Sequence, residues 1–197
     1  DWQKDHLAGV DMKTIKSSTH LDHRKLPNGA DVKMIWELSR WTHLVRLAQE
    51  GYILNDRWVM KVALRKVYHW TKKNHLMNGY NWTSALEGGL RLINYCWIDA
   101  LTMAGAANKR LGDASPELDA SLNRLRRAVL PAHVWFVWRY KSFGSSANNH
   151  LIGELAGLIC ALARWPQLER WSAPLSEVQS LWETEVLNQF APDGGNR

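Results

Sequence analysis

The amino-acid pattern predicts an all-α fold built from antiparallel helix hairpins. Leu, Val, Ile and Trp recur at three- and four-residue spacing through most of the chain. Capping and turn residues, among them Asp31, Asn55 or Asp56, Asn78-Gly79 and Ser115-Pro116, cut that pattern into six or so helical segments. No run alternates with the two-residue period of a half-buried strand, and short connections make consecutive helices neighbours.

Residues 1 to 30 carry Gly, His, Lys, Ser and the Leu26-Pro27-Asn28-Gly29 turn signal without sustained periodicity, which predicts an irregular lead-in to a helical domain over 31 to 197. Asp31 caps a helix running to about Glu50, ended by Gly51, with Leu38, Trp41, Val45 and Ala48 on its apolar face. Trp36, Arg40 and His43 form a second, polar and aromatic stripe on the same helix. A helix from Asn55 or Asp56 to about Asn74 has a basic opposite face. The next, from about Trp82 to Ala104, carries Ser84, Glu87, Arg91 and Asn94 as a polar stripe. On an open surface Glu87 and Arg91 contribute only ~0.3–0.5 kcal/mol as an i, i+4 pair. On so apolar a helix they are either a buried ion pair bracing two helices or ligands in a cleft. Ser115 and Pro116 open a long helix that Pro131 is expected to kink or split. Gly153, Gly157 and Ala161 recur every four residues and leave a smooth groove for a neighbouring helix. A last helix runs from Pro174 to about Phe190.

With 197 residues, 46% of them hydrophobic and 22% charged, one domain with a sizeable core is expected. The chain has no initiator Met, no leader and no apolar run near the ~18 residues of a membrane span, so it reads as a soluble piece of a longer protein. Cys96 and Cys160 lie in apolar helical patterns, as buried free thiols do. The net charge of +6 comes largely from Lys61, Arg65, Lys66, Lys72 and Lys73, and from Lys109, Arg110, Arg124, Arg126 and Arg127. It favours polyanions, which include nucleic acid, an anionic membrane surface and an acidic polysaccharide; with no recognised binding motif beside the charge, nucleic acid is the weaker reading. His20 and His23 have no ligand pattern around them, so no metal or cofactor is expected. Of the twelve tryptophans, Trp41, Trp58, Trp70, Trp97 and Trp138 have core spacing. Trp36 and Trp82, flanked by polar residues, are the candidate sugar platforms.

The stretch richest in chemistry is Gly144-Ser145-Ser146-Ala147-Asn148-Asn149-His150-Leu151-Ile152-Gly153-Glu154, a polar loop turning into an apolar helix. Ser145, Ser146, Asn148 and Asn149 are all competent N-caps, and one suffices. The surplus amides and His150 sit where backbone N–H groups carry partial positive charge. Such a place can hold a carboxylate and move a proton, although an over-capped helix with a surface histidine has the same sequence.

Asn148-Asn149-His150-Leu151 followed by Glu154-Leu155-Ala156-Gly157-Leu158 resembles the corresponding segment of the heparinase II/III-like polysaccharide lyases, which include heparan-sulfate and oligoalginate lyases. Asp31-Val32-Lys33 with Trp36-Glu37-Leu38-Ser39-Arg40, then Asn81-Trp82 with Glu87 and Arg91, then Gln189 with Pro192-Asp193-Gly194 fall in the family's order. The resemblance implies part of an incomplete α/α toroid, a periplasmic or secreted parent protein, and an acidic polysaccharide or oligosaccharide as partner. It implies β-elimination of a uronate polymer, with Asn149 neutralising the carboxylate and His150 as base or positioning residue. Asn148, Arg91, Glu87, Trp82, Arg40 and Trp36 would bind substrate. Asn149 is preferred to Asn148 because it directly precedes His150. The relatives also use a tyrosine shortly after the Asp-Gly segment, beyond the end of this chain, so the isolated chain is expected to be inactive. Two other readings stand beside the lyase: a glycoside hydrolase using Glu37 and Glu87, and a non-catalytic glycan-binding module.

Overall fold

The computed structural model describes residues 1–106, 115–143, 148–191 and 193–195. Among them are seven α-helices: α1 (Val32–Ser39), α2 (Thr42–Ile53), α3 (Arg57–Lys73), α4 (Ala85–Ala106), α5 (Pro116–Tyr140), α6 (Asn148–Arg164) and α7 (Leu175–Gln189). The fold is mostly helical, as the spacing predicts. The expected N-caps Ser145 and Ser146, the basic residues Lys109 and Arg110, and Pro192 lie outside the described residues.

The lead-in contains one small antiparallel ribbon, β1 (Lys4–Asp5) with β2 (Val10–Asp11). It is too short to leave a periodic trace. The buried Asp5 carboxylate accepts from the backbone N–H groups of Leu7, Ala8 and Asp31, each at 2.9 Å, and so ties the ribbon to the residue that caps α1. The chain divides into two compact units: Asp1–Thr83 with Asn94–Val129, and Ser84–Ile93 with Leu130–Arg197.

In the first unit, the single helix expected over 31 to 50 is two. Trp41 adopts φ 67°, ψ 15° between α1 and α2. A left-handed non-glycine residue is unfavourable, and here packing overrides the local cost. The Trp41 side chain is completely buried, with its ring 5.1 Å from Trp70 in an edge contact and 6.5 Å from Tyr95. Gly51 does not end the helix. It lies inside α2, where an added Cβ would stand 2.8 Å from Met60 Cγ and 3.0 Å from the Asp56 carbonyl, so its lack of a side chain admits the start of α3. Asp56 caps α3 by accepting from Trp58 and Val59 N–H, and α2 and α3 pack on each other.

Trp41 and Trp70 are core residues as expected, whereas Trp58 and Trp97 are 66% and 56% exposed. Helical spacing assigned them to the core because it locates a stripe without telling how far around the helix the neighbours reach. Cys160 is likewise exposed and Cys96 half-buried, and neither is in a disulfide.

The second unit takes the start of α4, the end of α5, and α6 and α7. α5 is not split: it is helical from Pro116 to Tyr140 with Pro131 inside it. The boundary between the units falls at Val129/Leu130, one residue before that proline. Gly157 and Gly153 form the predicted groove, and its occupant is α4. A Cβ on Gly157 would lie 2.4 Å from the Gly89 carbonyl oxygen, and one on Gly153 would lie 2.7 Å from Leu86 Cδ1. α7 packs on α6 beside the short helical turn Pro166–Trp171.

Candidate active site

The candidate site starts at the first turn of α6. Asn148 is its first residue, Asn149 is exposed, and His150 is half-buried. The side chain of Asn148 lies outside the described part of the structure. Apolar Leu151, Leu155 and Leu158, all buried, turn one face of α6 inward and fix which residues of its first turn are left outside.

Four residues further on, Glu154 is fully buried and spends its carboxylate on structure. It accepts from Ser142 N–H at 2.6 Å and from Ser142 Oγ–H at 2.7 Å. The backbone of Leu86, in the first turn of α4, also hydrogen-bonds to it. One side chain therefore fastens the start of α4 and the residues entering α6 to the middle of the helix. Burial pushes its pKa above the usual range, and the hydrogen bonds from Ser142 partly offset that. Glu154 belongs to the stretch that carries the resemblance, and the structure gives it a bracing task.

Lys141, directly before Ser142, lies with Nζ 3.5 Å from the centroid of the Trp138 ring and donates to the Trp138 carbonyl at 2.8 Å. Burial pulls its pKa down, against the opposing charges of Glu177 and Glu154. Sequence reasoning passed over Lys141; the signal that could have found it was its place between an aromatic helix terminus and the polar loop.

The residues expected to bind substrate fall into different settings. Glu87 and Arg91 belong to the second unit with Asn149 and His150, and both are buried, with exposures of 1% and 0%. Arg91 Nε–H donates to Nε2 of the buried His133 at 3.0 Å, so that ring nitrogen is an acceptor and the His133 proton is on Nδ1. Glu87 and Arg91, for which the sequence left both a cleft and a buried brace open, are thus packed inside the unit. Gly88 and Gly89 explain why. They bring α4 against Val137 and Phe136 of α5 and against the Gly153–Glu154 backbone of α6, which leaves no room for solvent beside Glu87 and Arg91. Of the two alternatives open in the sequence, bracing is the one this burial fits.

Trp36, Arg40 and Trp82 lie in the first unit. Trp82 is buried to 3%, with Nε1 donating to the Asn74 carbonyl at 3.2 Å, so it is not a sugar platform. Its polar neighbours serve the buried amide cluster of Asn74 and Asn81. Trp36 is half-buried, donates from Nε1 to the Tyr80 carbonyl at 2.9 Å, and packs its ring 5.1 Å from that of His23. Arg40 pairs with Glu37 one turn earlier. Asp193 and Gly194, from the last matching stretch, form a turn after α7 in which Gly194 has φ +85° and Asp193 Oδ1 accepts from Gly195 N–H.

Among the described residues no group of three or more His, Cys, Asp or Glu is placed to hold a metal ion, and no helix is long and apolar enough to cross a membrane. No family model, no curated protein and no solved structure matches this chain.

Proposed function

We propose that this chain is helical catalytic-domain sequence of a polysaccharide lyase that cleaves a uronic-acid-containing polymer by β-elimination, with Asn149 and His150 at its site. The reading is carried by one observation. The first turn of a 17-residue helix, whose first N–H groups have no intrahelical acceptor, leaves an exposed carboxamide and a half-buried imidazole in consecutive positions. A uronate carboxylate held there accepts from the Asn149 amide, which withdraws charge and makes the C5 proton more acidic. His150 in its neutral form takes that proton. The electron pair moves into the C4–C5 bond, the C4–O bond breaks, and the departing oxygen takes a proton from a second donor or from water. Assembly of the helices into part of an incomplete α/α toroid belongs to the same proposal.

The competing hydrolase requires two accessible carboxyl groups. With Glu87 buried and Glu37 paired to Arg40, that pair is a poor candidate.

The test is ultraviolet absorbance from the new C4–C5 double bond when the protein containing these residues digests alginate or heparan sulfate. Asn149→Ala, at an exposed position, should keep the helical circular dichroism and lose about 10²–10⁴-fold in rate. Cleavage without an unsaturated end, or full activity in Asn149→Ala, overturns the proposal.

A further inference from the structure

We infer that the groove between α3 and the first half of α5, within the first unit, is a binding site for an acidic saccharide. It encloses about 210 Å³, room for a pyranose ring and its substituents. Leu64 and Leu125 contribute apolar surface to it. Around that surface stand Trp58, Lys61, Arg65, Tyr68, Glu117 and Arg124.

The division of labour among these side chains identifies the ligand. Trp58 is 66% exposed and offers an indole face on which the C–H face of a sugar ring can rest. Tyr68 does something else. Lys72 Nζ lies 5.2 Å and Arg124 Cζ 5.6 Å from its ring centroid, so the ring orients two cations by cation–π attraction. Lys61 is held by the Glu117 carboxylate. Arg65 and Arg124, both exposed, make no salt bridge among the described residues, and they sit on facing helices of the same groove. Two guanidinium forks, one of them steadied by the Tyr68 ring, suit a carboxylate or sulfate.

The Glu117 carboxylate and the Ser121 hydroxyl add hydrogen-bond acceptors for ring hydroxyls. Proteins that hold single-stranded nucleic acid use successive stacking platforms, and of the two rings that line this groove among the described residues Tyr68 is engaged by Lys72 and Arg124, which leaves Trp58 as the platform. One stacking face, two anion forks and hydroxyl acceptors match a single acidic sugar unit within an oligomer. The inference rests on this groove alone and stands independently of the chemistry assigned to Asn149 and His150.

Calorimetric titration of the 197-residue chain with a mannuronate hexasaccharide tests it. Binding is expected and should weaken with added salt, as exposed ion contacts do; a neutral dextran-derived hexasaccharide should not bind. Trp58→Ala and the double variant Arg65→Ala/Arg124→Ala change exposed positions and should keep the wild-type circular dichroism. Each should weaken binding by about tenfold. No binding by the wild-type chain, binding unchanged in both variants, or equal affinity for a hexathymidylate overturns the assignment. Mannuronate binding that survives Asn149→Ala separates this groove from the proposed lyase site.

Discussion

In the first unit the space between helices is filled by rings, while in the second the helices close on glycine. Trp41, Trp70, Trp82 and Tyr95 are all buried in the first unit, with Trp41 and Trp70 edge to face at 5.1 Å and Trp70 and Trp82 5.8 Å apart. Its buried amides are neutral and bond to backbone or to one another: Gln3 Nε2–H donates to the Lys73 carbonyl at 2.9 Å, and Asn81 Nδ2–H to Asn74 Oδ1 at 2.8 Å. Of the two buried carboxylates among the described residues of this unit, Asp5 is met by backbone N–H groups and Asp99 by Arg126 at 2.7 and 3.0 Å, from a guanidinium that still reaches solvent. In the second unit Gly88, Gly89, Gly153 and Gly157 remove side chains at the helix crossings, and the buried polar residues there are ionisable: Glu87, Arg91, His133 and Glu154. Close backbone approach excludes water, and a charge without water must be hydrogen-bonded by protein. Ring packing supplies volume and tolerates neutral polar groups. Glycine packing supplies proximity and commits the unit to particular charged contacts.

The largest effect expected from this contrast is at Trp41. Trp41→Ala removes a fully buried indole from between Trp70 and Tyr95 and should cost about 4 kcal/mol by chemical denaturation. Trp97→Ala, at a 56% exposed site, should stay within about 0.5 kcal/mol of wild type. Comparable losses at both sites would show that the ring cluster is not what holds the first unit.

Next come two helical glycines, one from each unit. A Cβ on Gly157 meets the Gly89 backbone, with Cα at 2.7 Å and O at 2.4 Å, and neither helix can yield locally. Gly157→Ala should destabilise by about 3 kcal/mol. The close contacts of a Cβ on Gly105 in the first unit are Cε and Sδ of Met60, at 2.1 and 2.7 Å, the flexible end of an adaptable side chain. Gly105→Ala should change stability by less than about 1 kcal/mol, because its gain in helix propensity offsets the repacking. Equal costs at the two positions would erase the distinction between side-chain and backbone contact.

The smallest effect is at Glu154, where the pH dependence sharpens the comparison. Because burial raises its folded pKa above the usual 4.5, the folded protein holds this proton more tightly than the unfolded chain does. Its contribution to stability is therefore greatest below 4.5 and is lost as pH rises through the raised value. Glu154→Gln should cost about 1 kcal/mol through the altered Ser142 contacts, and denaturation across a pH series should lack that decline. An identical pH slope in the variant would mean that Glu154 does not titrate as its burial requires.

Helix class and most boundaries were legible because they depend on local chemistry: Asp31 and Asp56 as caps, Pro116 as a first helical residue, and the leucines of α6 on one face. The Gly153-Gly157 groove was legible for the same reason, since spacing alone puts both on one side of a helix. What fills that groove was not, because Gly89 lies 68 residues from Gly157 in sequence and nothing in either segment names the other. The same limit governs the candidate site. The sequence put Asn149 and His150 at a helix start, and that is a local fact. It put Glu87 and Arg91 on one stripe with equal success. Whether such a stripe meets water or another helix depends on the partner brought against it, and only the tertiary structure decides this. Likewise a tryptophan at core spacing becomes core at Trp70 and an exposed platform at Trp58, because burial is a property of the surroundings and residue type and period fix only the direction in which a side chain points.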